Sequence, residues 1–290
     1  MKSKIRPITK ELIQAAVIGD PVAHSLSPKI HNFLLKKHEI AGNYSAIQVK
    51  KSDLKSEVNF LIEKDFAGFN ITIPHKEEIF KICDYKSKTA SLTGAVNTVV
   101  ITEDKKLFGH NSDAEGFLNN LKNSQNNFDL KDKTAFVIGA GGAARAIVYG
   151  LIKSGVVKIY ITNRSEIRAA ELIKNFENFA EKKKCELEFL TQENFEKKFE
   201  ECDLLVNSTS LGMDGQEKLI IDLKNLNRSA IVYDIVYKPL MTDLLKDAKA
   251  RDNKIVTGLG MLVFQALIGF EMWFKQKPEE QFVKELFEIL

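Results

Sequence analysis

A short apolar strand, a glycine-rich turn and an amphipathic helix follow one another between residues 133 and 152. Residues 135–138 are apolar and of strand type, residues 139–143 read GAGGA, and apolar residues then recur at helical spacing. Glycines let the backbone N–H groups of a helix N-terminus approach a phosphate, and this order is typical of the first unit of a dinucleotide-binding fold. The sequence therefore predicts a nucleotide site here. The alternative is a tight strand-to-helix turn that binds no ligand.

The length and composition predict two domains of an ordinary soluble type. The chain has 290 residues, of which 44% are hydrophobic and 28% are charged. The net charge of +3, with acidic and basic residues interspersed, argues against nucleic acid as a partner. No apolar run has the length of a membrane span, and the first residues lack the apolar core of a secretion signal. We therefore expect a cytoplasmic protein without a membrane partner.

Metal binding and disulfide formation are not indicated by the sequence. Cys83, Cys185 and Cys202 are an odd number of cysteines at no ligand spacing, which favours reduced thiols. None of the five histidines belongs to a paired helical motif such as HExxH. We therefore expect no metal site.

Predicted strands and helices alternate along the chain after a polar leader at residues 1–15. In the first half, strands are expected at residues 15–19, 44–49, 66–73, 94–101 and 107–110, and helices begin near residues 28, 53, 74 and 113. From residue 135 onward, strands (135–138, 156–162, 185–190, 204–208, 230–235) alternate with helices, which predicts a parallel sheet with right-handed crossovers. The polar stretch 122–133 is the expected linker. An apolar helix at 261–274 and a short helix end the chain.

Polar side chains are expected to cap several of these helices. Ser27 precedes Pro28 at the start of the first helix, and Ser52 or Asp53 suits the second. Residues 112–115 (SDAE) match a capping box, with Asp113 as an acid that the helix dipole favours.

The residues after the second strand of the nucleotide-binding unit favour NADP over NAD. An NAD site usually has an acid about 20 residues past the glycines, where it bonds the ribose 2′-hydroxyl. This chain has Asn163, Arg164 and Ser165 there, with Arg168 one turn later. Guanidinium donors match the oxygens of a 2′-phosphate. The alternative is that Ser165 only caps a helix and Arg168 is solvated.

Lys76 is the strongest candidate for a catalytic group in the first half. It lies two residues after Pro74, in the expected first turn of a helix, where a cation opposes the helix dipole. The same dipole favours the neutral amine, which can then exchange a proton. The alternative is an exposed surface lysine. Asn70, Asn97 and Gln265 are polar residues at strand ends or in an apolar helix, and a polar ligand would satisfy them.

Taken together, nine segments of the chain resemble the shikimate dehydrogenase family. The resemblance covers nearly the whole chain, from about residue 17 to the helix around residue 265. The segments are residues 19–28 (GDPVAHSLSP), 70–76 (NITIPHK), 94–98 (GAVNT), 109–116 (GHNSDAEG), 139–145 (GAGGAAR), 163–165 (NRS), 207–209 (NST), 234–239 (DIVYKP) and 258–265 (GLGMLVFQ).

The resemblance implies an oxidoreductase that reversibly reduces 3-dehydroshikimate to shikimate with NADPH, a step of aromatic amino-acid biosynthesis. It implies an α/β fold with a substrate domain at residues 1–121 plus 259–290 and a Rossmann-like NADP domain at 122–258, the C-terminal helices returning to the substrate domain. A small-molecule substrate is then the expected partner. The sequence leaves the oligomeric state open, with a homodimer as one arrangement.

Residue by residue, the resemblance implies a catalytic pair of Lys76 and Asp113. The implied substrate contacts are Ser25, Ser27, Thr72, Lys76, Asn97, Asp113, Tyr237 and Gln265. The implied cofactor contacts are Gly139, Ala140, Gly141, Gly142, Ala143, Asn163, Arg164, Arg168, Ser208, Thr209, Ile235, Tyr237, Gly258 and Met261. Ser112 departs from the family pattern, in which Thr is more frequent, but keeps the hydroxyl.

Three alternatives to this assignment stay open. Quinate/shikimate enzymes often lack one serine of the Ser25-Leu26-Ser27 element, and both serines are present here. A folate-type methylene dehydrogenase shares a related two-domain plan, but the same element and Asn97 argue against it. A regulatory relative that binds ligand without turnover would be free to lose Lys76 or Asp113, and this chain retains both.

Overall fold

Apolar strands and amphipathic helices form two α/β units in the computed structural model, which describes residues 12–126 and 128–290. Unit 1 contains the described residues up to Ser112 together with Val263–Leu290, and unit 2 contains Asp113–Leu262. The predicted α/β class is therefore confirmed. The domain limits predicted at 121/122 and 258/259 stay predictions.

In unit 1, strands and helices alternate before a hairpin and two C-terminal helices. The strands are β1 (Ile13–Gly19), β2 (Gly42–Gln48), β3 (Gly68–Ile71), β4 (Tyr85–Lys86), β5 (Thr98–Ile101) and β6 (Leu107–His110). The helices are α1 (Ser27–Lys37), α2 (Leu54–Glu63), which a 3-10 turn precedes, α3 (Lys76–Ile82) and α4 (Lys88–Thr93). Helix α10 (Gly258–Phe274) begins in unit 2 and continues into unit 1, and α11 (Glu280–Ile289) follows it.

The sheet of unit 1 is mixed. Its order within the described residues is β2-β1-β3-β5-β6-β4, and β1 is parallel to both β2 and β3. Strand β5 is antiparallel to β3 and to β6, which confirms the predicted hairpin through residues 103–106. Because β1 and β3 run in parallel, their carboxyl ends lie side by side.

The C-terminal helix α10 packs directly on this sheet. The indole N–H of Trp273 donates to the carbonyl of Val99 at 2.8 Å. A β-carbon at Gly68 would lie 2.3 Å from the indole nitrogen, so only glycine permits this approach. Helix α11 adds aromatic contacts, with Phe287 packed against Phe264.

A buried histidine packs against Tyr44 of β2 and Trp273 of α10, and these three side chains form the aromatic layer of unit 1. His31 of α1 is fully buried and stacks on Tyr44 with ring centroids 4.0 Å apart, and Trp273 lies 5.5 Å away. Burial lowers the pKa of His31 to about 3, and the neighbouring Asn70 side chain opposes this only in part. The imidazole is therefore neutral at physiological pH.

In unit 2, helices and strands alternate throughout. The strands are β7 (Thr134–Ile138), β8 (Lys158–Thr162), β9 (Glu186–Phe189), β10 (Leu204–Asn207), β11 (Ile231–Asp234) and β12 (Lys254–Val256). The helices are α5 (Asp113–Ser124), α6 (Gly142–Lys153), α7 (Glu166–Lys183), α8 (Gln192–Lys197), which a 3-10 turn follows, and α9 (Asp243–Ala250).

The sheet of unit 2 is parallel and doubly wound. Its order in the described part of the chain is β12-β11-β10-β7-β8-β9, and every pairing of neighbours is parallel. Numbered within the unit, this is the 3-2-1-4-5-6 order of a Rossmann fold. The predicted parallel sheet is confirmed. Phe136, Tyr160, Phe195 and Phe199 form an aromatic core on one face.

Several predicted boundaries were wrong. Residues 1–11 of the predicted leader lie outside the described residues, and residues 13–15 belong to β1 because they pair with β2. Helix α5 runs to Ser124, so the expected linker begins too early; Lys122 suits the negative end of the helix dipole. Asn127 of that linker lies outside the described residues. Elements β4, α4, α9 and β12 were not predicted.

Two predicted caps were also wrong in detail. Helix α1 begins at Ser27, and Leu26 occupies the N-cap position without a side-chain bond. Asp53 is the N-cap of α2, but its side chain makes no cap bond. In contrast, Ser165 caps α7 by accepting a bond from the Arg168 N–H.

No helix among the described residues combines the length and apolar character needed to cross a bilayer. Within the same residues, no cluster of three or more His, Cys, Asp or Glu side chains is arranged to hold a metal ion. Cys83, Cys185 and Cys202 are free and buried. Burial raises the pKa of the Cys83 and Cys185 thiols to about 12, so they are protonated and unreactive.

The buried imidazole gives the protein a specific acid sensitivity. A group whose pKa is lower in the folded state contributes stability at high pH, and here it is lost progressively as pH falls below about 6.5, the pKa of an unfolded histidine. His31→Phe keeps an aromatic ring in the stack but cannot titrate. We expect the drop in unfolding free energy between pH 8 and pH 5 to be about 2 kcal/mol smaller in this variant.

Urea unfolding at both pH values measures this difference, and the pH 8 value serves as each protein's own reference. An equal pH dependence in the two proteins would contradict the assignment.

Candidate active site

The adjacent carboxyl ends of β1 and β3 position the first group of predicted substrate contacts. The Thr72 N–H donates to the carbonyl of Ile18 at 2.9 Å, and the Asp20 N–H donates to that of Ile73 at 2.9 Å. A β-carbon at Gly19 would lie 2.2 Å from the Thr72 methyl carbon, so the two strand ends are in close contact. Thr72 is therefore fixed beside Gly19, where the loop that carries Ser25 begins.

Ser25 and Ser27 form one short hydroxyl-bearing segment before α1. The Ser27 N–H donates to the Ser25 hydroxyl oxygen at 3.2 Å. As an acceptor, this hydroxyl keeps its own hydrogen for another partner. Ser27 is buried in the first turn of α1, and Ser25 is half-buried. The pair can hold an anionic group such as a carboxylate.

Lys76 is the first residue of α3, as predicted. Its carbonyl accepts a bond from the Val96 N–H at 2.9 Å, so the helix start is tied to the segment before β5. The side chain is half-buried rather than fully exposed. The next residue along that segment is Asn97, and unit 1 thus brings the main chain of Lys76 close to Asn97.

Asn97 is buried and bonded through both ends of its amide. The Ser112 N–H donates to Asn97 Oδ1 at 2.8 Å, and Asn97 Nδ2 donates to Ser112 Oγ at 3.0 Å. The Ser112 hydroxyl, for which a helix-cap role stays a prediction, contacts Asn97 and Thr98. Asp113 follows Ser112 as the first residue of α5 and is 5% exposed.

Gln265 lies in α10 within unit 1 and is 8% exposed. This confirms the expectation of a buried amide in an apolar helix. Ser25, Ser27, Thr72, Lys76, Asn97 and Gln265 thus belong to unit 1, and Asp113 and Tyr237 belong to unit 2.

The predicted cofactor contacts of unit 2 follow the carboxyl ends of its strands. In the sheet order, the chain leaves β7 for β8 on one side and returns to β10 on the other, which creates a topological switch point. Gly139 follows β7, and Ser208 and Thr209 follow β10. A β-carbon at Gly139 would lie 2.6 Å from Ser208 Oγ and 2.9 Å from the Thr209 methyl carbon, so these loops meet at the switch point.

Gly139 and Gly141 of the turn are suited to their positions for different structural reasons. Gly139 has a φ of +113° in addition to its close contacts, so a side chain there is strained. Gly141 has an extended φ of −87°, and a β-carbon there would meet no described atom within 4 Å. The space above Gly141 and the first turn of α6, whose N-cap provides no side chain, fits the phosphates of a dinucleotide.

The second strand of this sheet ends next to two exposed arginines. Asn163 Nδ2 donates to the carbonyl of Ser165 at 2.8 Å, which shapes the turn before α7. Arg164 and Arg168 are exposed on either side of the Ser165 cap. Ser165 thus caps the helix between two exposed arginines, an arrangement that is compatible with both alternatives.

A buried carboxylate organises the loops after β10 and β11. Asp234 accepts bonds from Asn207 Nδ2 at 2.9 Å, the Val236 N–H at 3.0 Å and the Thr242 hydroxyl at 2.7 Å. Burial raises the pKa of Asp234 to about 6, although these bonds oppose the shift. The carboxyl group therefore holds the segment that carries Ile235 and Tyr237 against the one that carries Ser208.

The start of α10 packs against the same segment. A β-carbon at Gly258 would lie 2.1 Å from the Ile235 carbonyl oxygen, so the helix start and this segment are in contact. Met261 lies one turn further and is 7% exposed. Tyr237 is half-buried, and burial raises the pKa of its hydroxyl, which is therefore a neutral donor.

Sequence reasoning missed Asn207 and Asp234 as organising groups, and Tyr44 as a partner of Asn70. The Tyr44 hydroxyl donates to Asn70 Oδ1 at 2.6 Å. The available signal was a polar residue at the end of an apolar strand, which Asn70, Asn207 and Asp234 all provide.

Family models match most of the chain. The model described as shikimate dehydrogenase substrate binding domain matches residues 17–99, and the one described as shikimate / quinate 5-dehydrogenase matches residues 121–243. A shikimate dehydrogenase (NADP(+)) of Ruegeria sp. is 42% identical over 91% of this chain and 94% of the relative. One of Paramagnetospirillum magneticum is 43% identical over the same shares.

A solved structure has the same fold. Shikimate 5-dehydrogenase of Thermus thermophilus, in complex with NADP(H) and shikimate, is 34% identical with a TM-score of 0.82, over 94% of this chain and 98% of that chain. Sequence identity, coverage and the strand order of unit 2 therefore all indicate the same family. The chain belongs to the shikimate dehydrogenase family.

Proposed function

We propose that this protein reversibly reduces 3-dehydroshikimate to shikimate with NADPH, as a step of aromatic amino-acid biosynthesis. The observation that carries the proposal is the chemical difference between the two units. Unit 1 groups hydroxyls, amides and one lysine amine around the ends of β1, β3 and β5, which suits a small polyol carboxylate. Unit 2 has a glycine turn at its switch point, which suits a dinucleotide.

The proposed cofactor is NADP(H), held by the turn and the arginines. Gly139, Gly141 and the first turn of α6 would hold the phosphates, and Arg164 and Arg168 would bind the 2′-phosphate. The position of an NAD-specific acid is taken by Asn163. The remaining proposed contacts are Ala140, Gly142, Ala143, Ser208, Thr209, Ile235, Tyr237, Gly258 and Met261.

The proposed substrate contacts divide by chemistry. Ser25 and Ser27 donate to the carboxylate, and their shared segment supports this role. Asn97, Asp113 and Gln265 bond the ring hydroxyls, because amides donate and accept, and a carboxylate accepts, at fixed positions. Thr72 and Tyr237 complete the set.

Lys76 is the proposed proton-transfer group, with Asp113 to orient it. When bound, NADPH supplies a hydride to the substrate carbonyl carbon. The Lys76 ammonium gives a proton to the carbonyl oxygen, which becomes the product hydroxyl, and the neutral amine takes that proton back in the reverse reaction. Each residue begins a helix, Lys76 in α3 and Asp113 in α5.

Location and assembly are part of the proposal. We place the protein in the cytoplasm, where free buried thiols such as those of Cys83 and Cys202 stay reduced. The homodimer stays a prediction.

The reaction is tested by following the absorbance of NADPH in the purified protein with shikimate and NADP. We expect NADPH to form with shikimate and NADP and much less product with quinate or with NAD. A faster rate with quinate would favour the quinate enzymes. No turnover, with shikimate still bound, would favour a regulatory relative.

Removing the Lys76 amine should reduce turnover far more than binding. For Lys76→Ala we expect kcat to fall by about 10²–10⁴-fold, the contribution of a positioned general acid and base, with a small change in the Kd for shikimate. Lys81→Ala is the matched control, because Lys81 lies on the same helix and pairs with Glu78 at the surface. Near-normal turnover in Lys76→Ala would rule out the proton-transfer role.

Alanine substitutions at Gly139 and Gly141 should distinguish two effects, the loss of space for the cofactor and the strain of the backbone. We expect Gly141→Ala to cost less than about 1 kcal/mol in unfolding free energy but to weaken NADPH binding, because only the cofactor occupies the space beside it. Gly139→Ala should lower the unfolding free energy by about 1–3 kcal/mol, because its φ is positive. Urea unfolding and NADPH titration measure both. Unchanged NADPH affinity in Gly141→Ala would contradict the proposed phosphate position.

A further inference from the structure

A chain of buried hydrogen bonds connects the proposed substrate contact Asn97 to the aromatic layer of unit 1. Tyr44, Asn70, Thr98 and Asn97 are each at most 4% exposed. The Tyr44 hydroxyl donates to Asn70 Oδ1 at 2.6 Å, Asn70 Nδ2 donates to Thr98 Oγ1 at 3.1 Å, and Thr98 Oγ1 donates to Asn97 Oδ1 at 2.9 Å. Tyr44, Asn70 and Thr98 are absent from the proposed substrate contacts.

Along this hydrogen-bond chain, each side chain donates to the next one in the direction from Tyr44 to Asn97. A tyrosine hydroxyl that donates to an amide oxygen fixes which end of the Asn70 amide faces Tyr44. The amide nitrogen of Asn70 then faces the other way, where it also donates to the Asn97 carbonyl at 3.0 Å. Because Thr98 accepts from Asn70, its single hydrogen is free to donate to Asn97 Oδ1.

The result is that the Asn97 side chain has one favourable orientation. Its oxygen accepts from Thr98 and from the Ser112 N–H, and its nitrogen donates to Ser112 Oγ. A flipped amide would place the Asn97 nitrogen against two donors and leave both unpaired.

The first member of the chain is itself held rigidly. The ring of Tyr44 stacks on His31 at 4.0 Å and lies 5.8 Å from Trp273. Its main chain is fixed by Asn32, which accepts from the Tyr44 N–H at 2.9 Å and donates to its carbonyl at 2.8 Å. Burial raises the pKa of the Tyr44 hydroxyl well above its usual value, so it stays a donor at working pH.

We propose that Tyr44 is a positioning residue for substrate recognition: through Asn70 and Thr98 it fixes the Asn97 amide in the orientation that receives a ring hydroxyl of shikimate. This inference rests on the proposed function. Tyr44 acts on substrate affinity and ring-hydroxyl discrimination, and it has no part in proton transfer or in cofactor binding.

The test removes the hydroxyl oxygen of Tyr44, at the end of the hydrogen-bond chain that is far from Asn97. In Tyr44→Phe we expect the KM for shikimate to rise about tenfold, which corresponds to about 1.4 kcal/mol, with kcat within threefold and the KM for NADP unchanged. Tyr160→Phe is the matched control, because its hydroxyl donates to Glu201 in unit 2, and it should change none of these constants. An unchanged KM for shikimate in Tyr44→Phe would overturn the proposal.

A second pair of variants covers the case in which Tyr44→Phe folds poorly, as judged by its Tm. Thr98→Val removes the donor next to Asn97 and should raise the KM for shikimate in the same way. Thr98→Ser restores a hydroxyl and should restore the KM. A failure of Ser to rescue, at equal Tm, would indicate a packing effect and overturn the proposal.

A double-mutant cycle separates this inference from the proposed function. Asn97→Ala should raise the KM for shikimate, and Tyr44→Phe should then add almost nothing in the Asn97→Ala background. Equal effects of Tyr44→Phe in both backgrounds would overturn the positioning role while leaving the function intact. An inactive wild-type protein with shikimate and NADP would overturn the function itself.

Discussion

The register between β3 and β5 determines where the polar groups of unit 1 lie. Asn70 pairs directly with Thr98 across these antiparallel strands, so their side chains share one face. Both are buried, and each polar atom must therefore find a partner inside the protein. A shift of β5 by one residue would turn Thr98 to the face opposite Asn70 and break the hydrogen bond between these two side chains. The pairing of β3 with β5 thus also fixes the positions of these polar side chains.

Unit 2 depends on close backbone approach more than on side-chain networks. Gly139 allows the loop after β7 to contact the one after β10, and Gly258 allows the start of α10 to contact Ile235. Asp234 adds three hydrogen bonds that hold these loops. Because the loops meet at the carboxyl edge of a parallel sheet, small displacements at either glycine would move the whole proposed phosphate site.

Helices and strands could be predicted from the sequence where their hydrophobic pattern extended over many residues. The prediction failed where the elements were short. Strand β4 has two residues and α4 has six, which is too few for a pattern. Local motifs likewise give no information on tertiary partners: the capping box at residues 112–115 did not indicate the bonds between Ser112 and the buried Asn97 amide. The motif residues of the site could be named in advance, whereas Tyr44 has the pattern of a core aromatic, and its bond to Asn70 spans 26 residues.

The contrast between Asn97 and Lys76 indicates how recognition and chemistry are divided in the proposed enzyme. The Asn97 amide is buried and bonded at both ends, so the direction in which it can meet a ring hydroxyl is fixed, and rings with a hydroxyl at another position are disfavoured. The main chain of Lys76 is tied to Val96 at the start of α3, whereas its amine is carried by a flexible four-carbon stem. A rigid amide can distinguish substrates by the position of a ring hydroxyl. A flexible amine can stay in contact with the substrate oxygen as it changes from carbonyl to alcohol. Substrate discrimination is therefore expected to depend on the rigidity of the buried hydrogen-bond chain that ends at Asn97, and turnover on the Lys76 amine.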